Sequence, residues 1–244
     1  MMFSKVYILD YGKNEAESSD LIVGRNPGVK VTTPIIGLYI DHPEGKILID
    51  TGVEDGESDI ARKLHHHHTE QQTPVRQLER LGVKPEQIDY VILTHLHWDH
   101  CGCTHHFPKA KIIVRREELE KAFVPVNRND QVYRREDFDK DLDYHIVPNG
   151  LDFELLEGIK VISTPGHSAG MQSILISTKD GNVLYASDAM NTYDNWNFGL
   201  LPGICFSTQQ QEYTIAKLKT YRDVIFVPSH DIKLDLTKIY GGKK

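Results

Sequence analysis

The sequence predicts an α+β protein in which two β-sheets pack face to face with helices outside. Three observations carry that expectation. Short apolar runs that read as strands fall into two separate stretches, each followed by helical segments. Strong hairpin signals join several of them. Polar residues with metal-binding side chains stand directly after four of the runs, where they can converge on one edge of a sandwich. All 244 residues are expected in one domain of two βα halves, roughly 1–145 and 146–244.

Taken in order, Val6 to Asp10 reads as a first strand, and Tyr11 to Asp20 as polar and turn-like. Leu21-Ile22-Val23 is expected to pair back, and Asn26-Pro27-Gly28 is a strong turn signal. Ile35 to Ile40 and Lys46 to Asp50 are two apolar runs joined by His42-Pro43-Glu44-Gly45, a hairpin loop. Ser58 to Leu64 reads as a short helix, and His65-His66-His67-His68 as a solvated loop near the mouth of a site. Thr73-Pro74 starts a helix with a capping residue and Pro at the first helical position; Val75, Leu78 and Leu81 share a face, and Gly82 closes it. Tyr90 to Leu93 is a buried strand, Lys111 to Val114 another, and Glu117 to Phe123 a helix. Val124 to Tyr144 is long and charged, either a substrate-side lid or an oligomer contact such as a homodimer would use. A second strand series opens with His145 to Pro148 and Asp152 to Leu156, then Lys160 to Thr164. Ser173 to Ser177 and Asn182 to Ala186 flank Asp180-Gly181, a hairpin turn. Ser207 to Tyr221 is a helix opened by a capping box of Ser207 and Gln210, with Tyr213, Ala216 and Lys217 helically spaced. Val224 to Pro228 is the last strand.

A net charge of -7 argues against a protein that binds a nucleic-acid backbone. Three cysteines form no disulfide framework. No apolar run approaches the ~20 residues needed to cross a bilayer, and the N-terminus reads as a strand and not a signal peptide, so a cytoplasmic location is expected.

The chemistry centres on Thr94-His95-Leu96-His97-Trp98-Asp99-His100. In an extended segment, His95 and His97 fall on one side of the chain. Asp99 and His100 follow where the chain leaves the strand and can turn toward a second point. One segment can therefore serve two adjacent metal ions. His167, Asp188 and His230 each follow another strand run, so they are candidate ligands as well. Cys101 and Cys103 read as buried structural thiols, and His105 and His106 as weaker candidates. Imidazole and carboxylate donors without thiolate suit Zn²⁺, Fe²⁺, Mn²⁺ or Co²⁺, with zinc the default.

Asp50-Thr51-Gly52, the His-x-His-x-Asp-His motif, Thr164-Pro165-Gly166-His167-Ser168, Ser187-Asp188 and Ser229-His230 together resemble the metallo-β-lactamase fold superfamily, and most of all its N-acyl homoserine lactonase and small-lactone hydrolase branch. The resemblance implies a four-layer αβ/βα sandwich. It implies that His95, His97 and His167 hold one divalent ion, that Asp99, His100 and His230 hold a second, and that Asp188 bridges both. It implies a quorum-quenching hydrolase that opens a lactone or ester by attack of a metal-bridging hydroxide, with Asp99 orienting the water or shuttling its proton. Lactonases of this branch carry Tyr three residues after the bridging Asp. This chain has Asn191 there, leaving the Asn191 amide or Tyr193 for that role. The apolar stretch Trp196 to Gly203, with Met190 and Phe123, either covers the core or lines an acyl-chain pocket. A glyoxalase II-like thioesterase or a phosphodiesterase on the same fold is the alternative.

Overall fold

In the central strands, successive side chains enter two different apolar cores. Ile36, Leu38 and Ile40 face one core, and Ile35 and Tyr39 the other. The same alternation sorts Ile47 and Ile49 from Leu48, and Ile113 from Ile112 and Val114. With both faces buried, period-2 alternation becomes a continuous apolar run. The computed structural model describes residues 2–54, 59–126 and 131–242.

The chain runs β1 (Lys5–Glu17), α1 (Ser18–Leu21), β2 (Lys30–His42), β3 (Gly45–Ile49), α2 (Asp59–Lys63), α3 (Pro74–Arg80), β4 (Tyr90–Ile92), α4 (Trp98–Cys101), β5 (Lys111–Arg115), α5 (Arg116–Phe123), α6 (Arg135–Phe138) and β6 (Tyr144–Val147). It continues through β7 (Phe153–Leu156), β8 (Ile159–Ser163), β9 (Gln172–Thr178), β10 (Gly181–Tyr185), α7 (Tyr193–Phe198), α8 (Thr208–Leu218), β11 (Val224–Val227) and β12 (Ile239–Tyr240). One sheet has the order β12-β1-β2-β3-β4-β5-β6, the other β11-β10-β9-β8-β7. The core between them holds Val6, Leu38, Ile47, Ile92, Val161, Ile174 and Tyr185. Leu78 of α3 packs beneath the outer face of the first sheet, and Ile215 and Leu218 of α8 on that of the second. The result is a helix–sheet–sheet–helix sandwich.

Several elements differ from the sequence reading. The polar segment after Asp10 stays extended to Glu17, shifting register between Asp10 and Lys13 and then pairing with Lys30 to Pro34. Its polarity marks a ribbon extending beyond the sheet interior. Leu21 lies in α1 and does not pair as a strand. Leu81 is 39% exposed, so Leu78 anchors α3. On α8 the buried face is Gln211, Thr214, Ile215 and Leu218, whereas Tyr213 is exposed. β6 joins the first sheet through β5, and β12 returns to it through β1, so sheet membership crosses the expected division near residue 145. The helix read from Ser58 is α2; Ser58 itself lies outside the described residues, as do 127–130 of the long charged segment. Among the described residues, no helix is long and apolar enough to cross a membrane.

Candidate metal centre

Four loops deliver the candidate ligands to one edge of the sandwich. β4 leads into His95, and His97 caps α4, which carries Asp99 and His100. His167 follows β8, Asp188 sits in the turn after β10, and His230 follows β11. β8 and β10 are both antiparallel to β9, and β11 is parallel to β10, so these three strands end at the same side. All seven residues are buried. Their donor atoms form three overlapping groups, each within 4.8 Å: His95, His97 and His167; His95, His100 and Asp188; Asp99, His100 and His230.

Hydrogen bonds behind the rings decide which nitrogen faces inward. His100 Nδ1 pairs with Asp50 Oδ2 at 2.8 Å, His167 Nδ1 with the Ile204 carbonyl at 2.9 Å, and His230 Nδ1 with the Pro34 carbonyl at 2.8 Å. An acceptor there holds the proton on Nδ1 and leaves the Nε2 lone pair for a metal. The Nε2 atoms of His95 and His100 are buried without a hydrogen-bond partner. Asp188 faces both ways: Oδ2 lies 3.5 Å from His167 Nε2, and Oδ1 lies 3.1 Å from His230 Nε2 and 3.6 Å from His100 Nε2. Asp99 Oδ2 lies 3.7 Å from His100 Nε2 and 3.8 Å from His230 Nε2. Donors bound ~2.1 Å from a common ion are roughly 3.0–3.6 Å apart. These spacings and the orphaned imidazole nitrogens fit divalent metal ions.

The electrostatics agree. Burial holds His95 and His97 well below the usual imidazole range, and burial likewise lowers His167, so these rings are neutral donors. Burial also opposes charge on His100, but the carboxylates of Asp99, Asp188 and Asp50 outweigh it and hold a proton there. Burial opposes charge on His230 too, and Asp188 outweighs it. A site this rich in carboxylate draws positive charge, which a cation supplies in place of protons.

Two residues that sequence reasoning left without a role position this centre. Asp50, completely buried at φ 57°, also accepts from the Thr94 backbone N–H and the Thr94 hydroxyl, both at 2.8 Å. Its place in Asp50-Thr51-Gly52 was the available signal. Glu118, also completely buried, accepts from the Leu96 N–H at 3.0 Å and the Gly170 N–H at 2.7 Å, tying the His95 loop to the His167 loop. Nothing in the pattern of α5 distinguishes it from a surface glutamate.

Tyr193 is not among the residues that line the cavity beside His97 and His167. Its ring packs 6.2 Å from Phe226, and burial with the charges of Asp231 and Asp235 raises its pKa. Its side chain therefore belongs to the C-terminal packing. Asn191 is buried, and its carbonyl accepts from the His230 N–H at 3.0 Å, so it supports a candidate ligand's backbone. Tyr133, from the long charged segment, comes to the site instead. Its ring lies 4.9 Å from that of His97, and its hydroxyl donates to Glu118 Oε1 at 3.1 Å.

A cavity of about 830 Å³ opens beside His97 and His167, lined by Ile60, Leu64, Val132, Tyr133, Ile204 and Phe206, with Lys63, Lys121 and Asp20. Trp196 does not line it; it stacks on Phe226 at 4.8 Å. Met190 is in the core, Phe198 is exposed, and Phe123 packs on Phe138. The Cys101 thiol approaches the Leu96 carbonyl, and the Cys103 thiol the Val53 carbonyl, both buried as structural groups. In the histidine tract, His66 packs edge-on against Trp98, and burial lowers it to about 4.

This sandwich with its histidine- and aspartate-lined edge defines a class: the chain belongs to the metallo-beta-lactamase superfamily, whose family model matches residues 37–230. Within that class it is similar to an N-acyl homoserine lactonase of Bacillus cereus, at 30% identity over 92% of this chain and 90% of that one. It is equally similar to the N-acyl homoserine lactonase AttM of Rhizobium radiobacter, 30% identical over 93% of each chain. A solved N-acyl homoserine lactone hydrolase, with the product N-hexanoyl-L-homoserine bound at its catalytic metal center, superposes with a TM-score of 0.85 at 29% identity, covering 96% of this chain and 95% of that one.

Proposed function

We propose that this protein is a dinuclear metal-dependent hydrolase that opens the ester bond of an N-acyl homoserine lactone or a related small lactone. In this reading His95, His97 and His167 hold one ion, Asp99, His100 and His230 the other, and Asp188 bridges them. Zinc is the default ion for such a donor set. The observation that carries the reading is Asp188, whose two oxygens face the two histidine groups at 3.5 Å and 3.1 Å beside an apolar cavity.

Bound divalent ions lower the pKa of water toward neutrality and polarise an ester carbonyl. The protein's own groups do the rest. Asp99, held between His100 and His230, orients the attacking water and takes its proton. That proton passes to the ring oxygen as the acyl C–O bond breaks, giving a hydroxy acid. Tyr133 packs its ring beside His97 and donates its hydroxyl to Glu118, so it positions the loops that carry the candidate ligands. Ile60, Leu64, Val132, Ile204 and Phe206 receive the acyl chain.

The relatives named above are lactonases, which favours this reading over a thioesterase or phosphodiesterase. A pH-stat panel of N-acyl homoserine lactones, simple γ-lactones, a glutathione thioester and a phosphodiester tests it. Fastest turnover on an acyl homoserine lactone is expected. Preference for the thioester or phosphodiester would overturn it.

A further inference from the structure

Away from the seven-residue centre, Glu54, His105 and His106 form a separate group of donor atoms, all within 4.8 Å of one another. His105 and His106 occupy a single 3-10 turn, Thr104–His106, with their rings 4.1 Å apart. Both Nε2 atoms converge on one oxygen: Glu54 Oε2 lies 3.5 Å from His105 Nε2 and 3.3 Å from His106 Nε2. That oxygen is sealed from solvent and accepts no hydrogen bond. Donors bound ~2.1 Å from one tetrahedral ion lie about 3.4 Å apart, so both spacings match edges of such a polyhedron.

The backbone beneath the group is fixed. The Gly102 N–H donates to the Gly52 carbonyl at 2.9 Å, and the Thr51 and Thr104 hydroxyls meet at 3.1 Å. A Cβ on Gly102 would stand 2.4 Å from the Glu54 nitrogen, so the two loops press together with no room to spare. The backbone segments that carry the donors are therefore held against each other.

We propose that Glu54, His105 and His106 form an additional, peripheral divalent-cation site for Zn²⁺ or an ion of similar preference such as Co²⁺, with solvent completing its coordination. Two imidazoles and a carboxylate are the borderline donors such ions prefer. Half-open to solvent, the site binds more weakly than the buried centre and exchanges its ion readily. An ion there staples the loop that carries Asp50 to the turn that follows His100, so it adds stability without entering the reaction. The proposal does not depend on which substrate the buried centre takes.

The test is equilibrium dialysis of the full-length holoprotein, free of any purification tag, against zinc alone, followed by metal analysis. The wild type is expected to take up one zinc per chain more than His106→Ala or Glu54→Gln, with turnover equal in wild type and His106→Ala. Glu54→Gln is nearly isosteric and reads the same site if His106→Ala folds poorly. Excess zinc should raise the melting temperature of the wild type more than that of either variant. Equal zinc uptake by wild type and variants would place any extra ion elsewhere, for instance on the His65 to His68 tract, and would overturn the proposal.

Discussion

Replacing Asp50 with Asn tests how a side chain with no metal-facing atom governs the centre. Asp50 is completely buried and accepts three hydrogen bonds, two from Thr94 and one from His100 Nδ1, each at 2.8 Å. Asn keeps the shape and tolerates the φ of 57° at this position. Its amide, however, supplies one acceptor oxygen where the carboxylate supplies two. If the oxygen serves the Thr94 N–H, the NH₂ faces His100 Nδ1. His100 then accepts at Nδ1 and carries its proton on Nε2, the nitrogen 3.6 Å from Asp188 Oδ1. The lone pair meant for a cation is lost. Outer-shell changes of this kind cost about 10–100-fold in metal affinity or activity, or roughly 1.4–2.7 kcal/mol. Asp50→Ala should do more, because buried donors left unpaired cost ~1–3 kcal/mol each. The assay is metal retention across a series of buffered free-zinc concentrations, with kcat/KM measured on the same samples. Asp50→Asn with wild-type retention and wild-type kcat/KM would refute the reasoning.

Four further outcomes are expected. Tyr133→Phe removes the hydroxyl that donates to Glu118; kcat/KM should fall by about tenfold, the worth of one charge-assisted hydrogen bond, with metal content unchanged, and unchanged kcat/KM would remove Tyr133 from the site. Phe206→Ala should weaken long-chain acyl homoserine lactones more than short ones, by roughly tenfold in relative kcat/KM, and equal losses would mean the chain lies elsewhere. Trp196→Ala, which strips the stack on Phe226, should lower stability by about 3 kcal/mol, the low end for a ring that is only partly buried, without changing chain-length preference; a changed preference would contradict its placement. Burial raises the Asp137 carboxyl to about 7. The folded state then holds a proton that the unfolded chain releases near pH 4, so stability falls as pH rises through the interval up to about 7. Asp137→Asn should accordingly raise the melting temperature more at pH 8 than at pH 5, and a larger gain at pH 5 would reverse the sign.

The sheets were legible because strands buried on both faces appear as unbroken apolar runs, such as Lys46 to Ile49 and Ser173 to Ser177. The ribbon after Asp10 was not legible, because polar pairs between extended strands leave no hydrophobic signature. The two-residue strand Ile239–Tyr240 was too short to show periodicity. Residues that the structure gathers at the centre were visible through position: His95, His167, Asp188 and His230 each follow a strand run. The choice between Asn191 and Tyr193 was not legible, because spacing along the chain does not reveal that a helix start can turn the Tyr193 ring toward Phe226. The role of Trp196 stayed open for the same reason: an apolar side chain serves a cavity or a core equally well until packing is known. Tyr133 and Glu118 lie far from the motif in sequence and reach it only through the tertiary fold.

The central claim is that a pair of divalent ions held by seven side chains makes this protein a lactone hydrolase. The direct measurement adds zinc stepwise to metal-stripped protein and follows ring opening of N-hexanoyl homoserine lactone. The rate should rise from near zero and level off at two equivalents per chain, with the same titration of Asp188→Ala remaining flat. Full turnover by the metal-stripped protein, or an Asp188→Ala curve that follows the wild type, would contradict it.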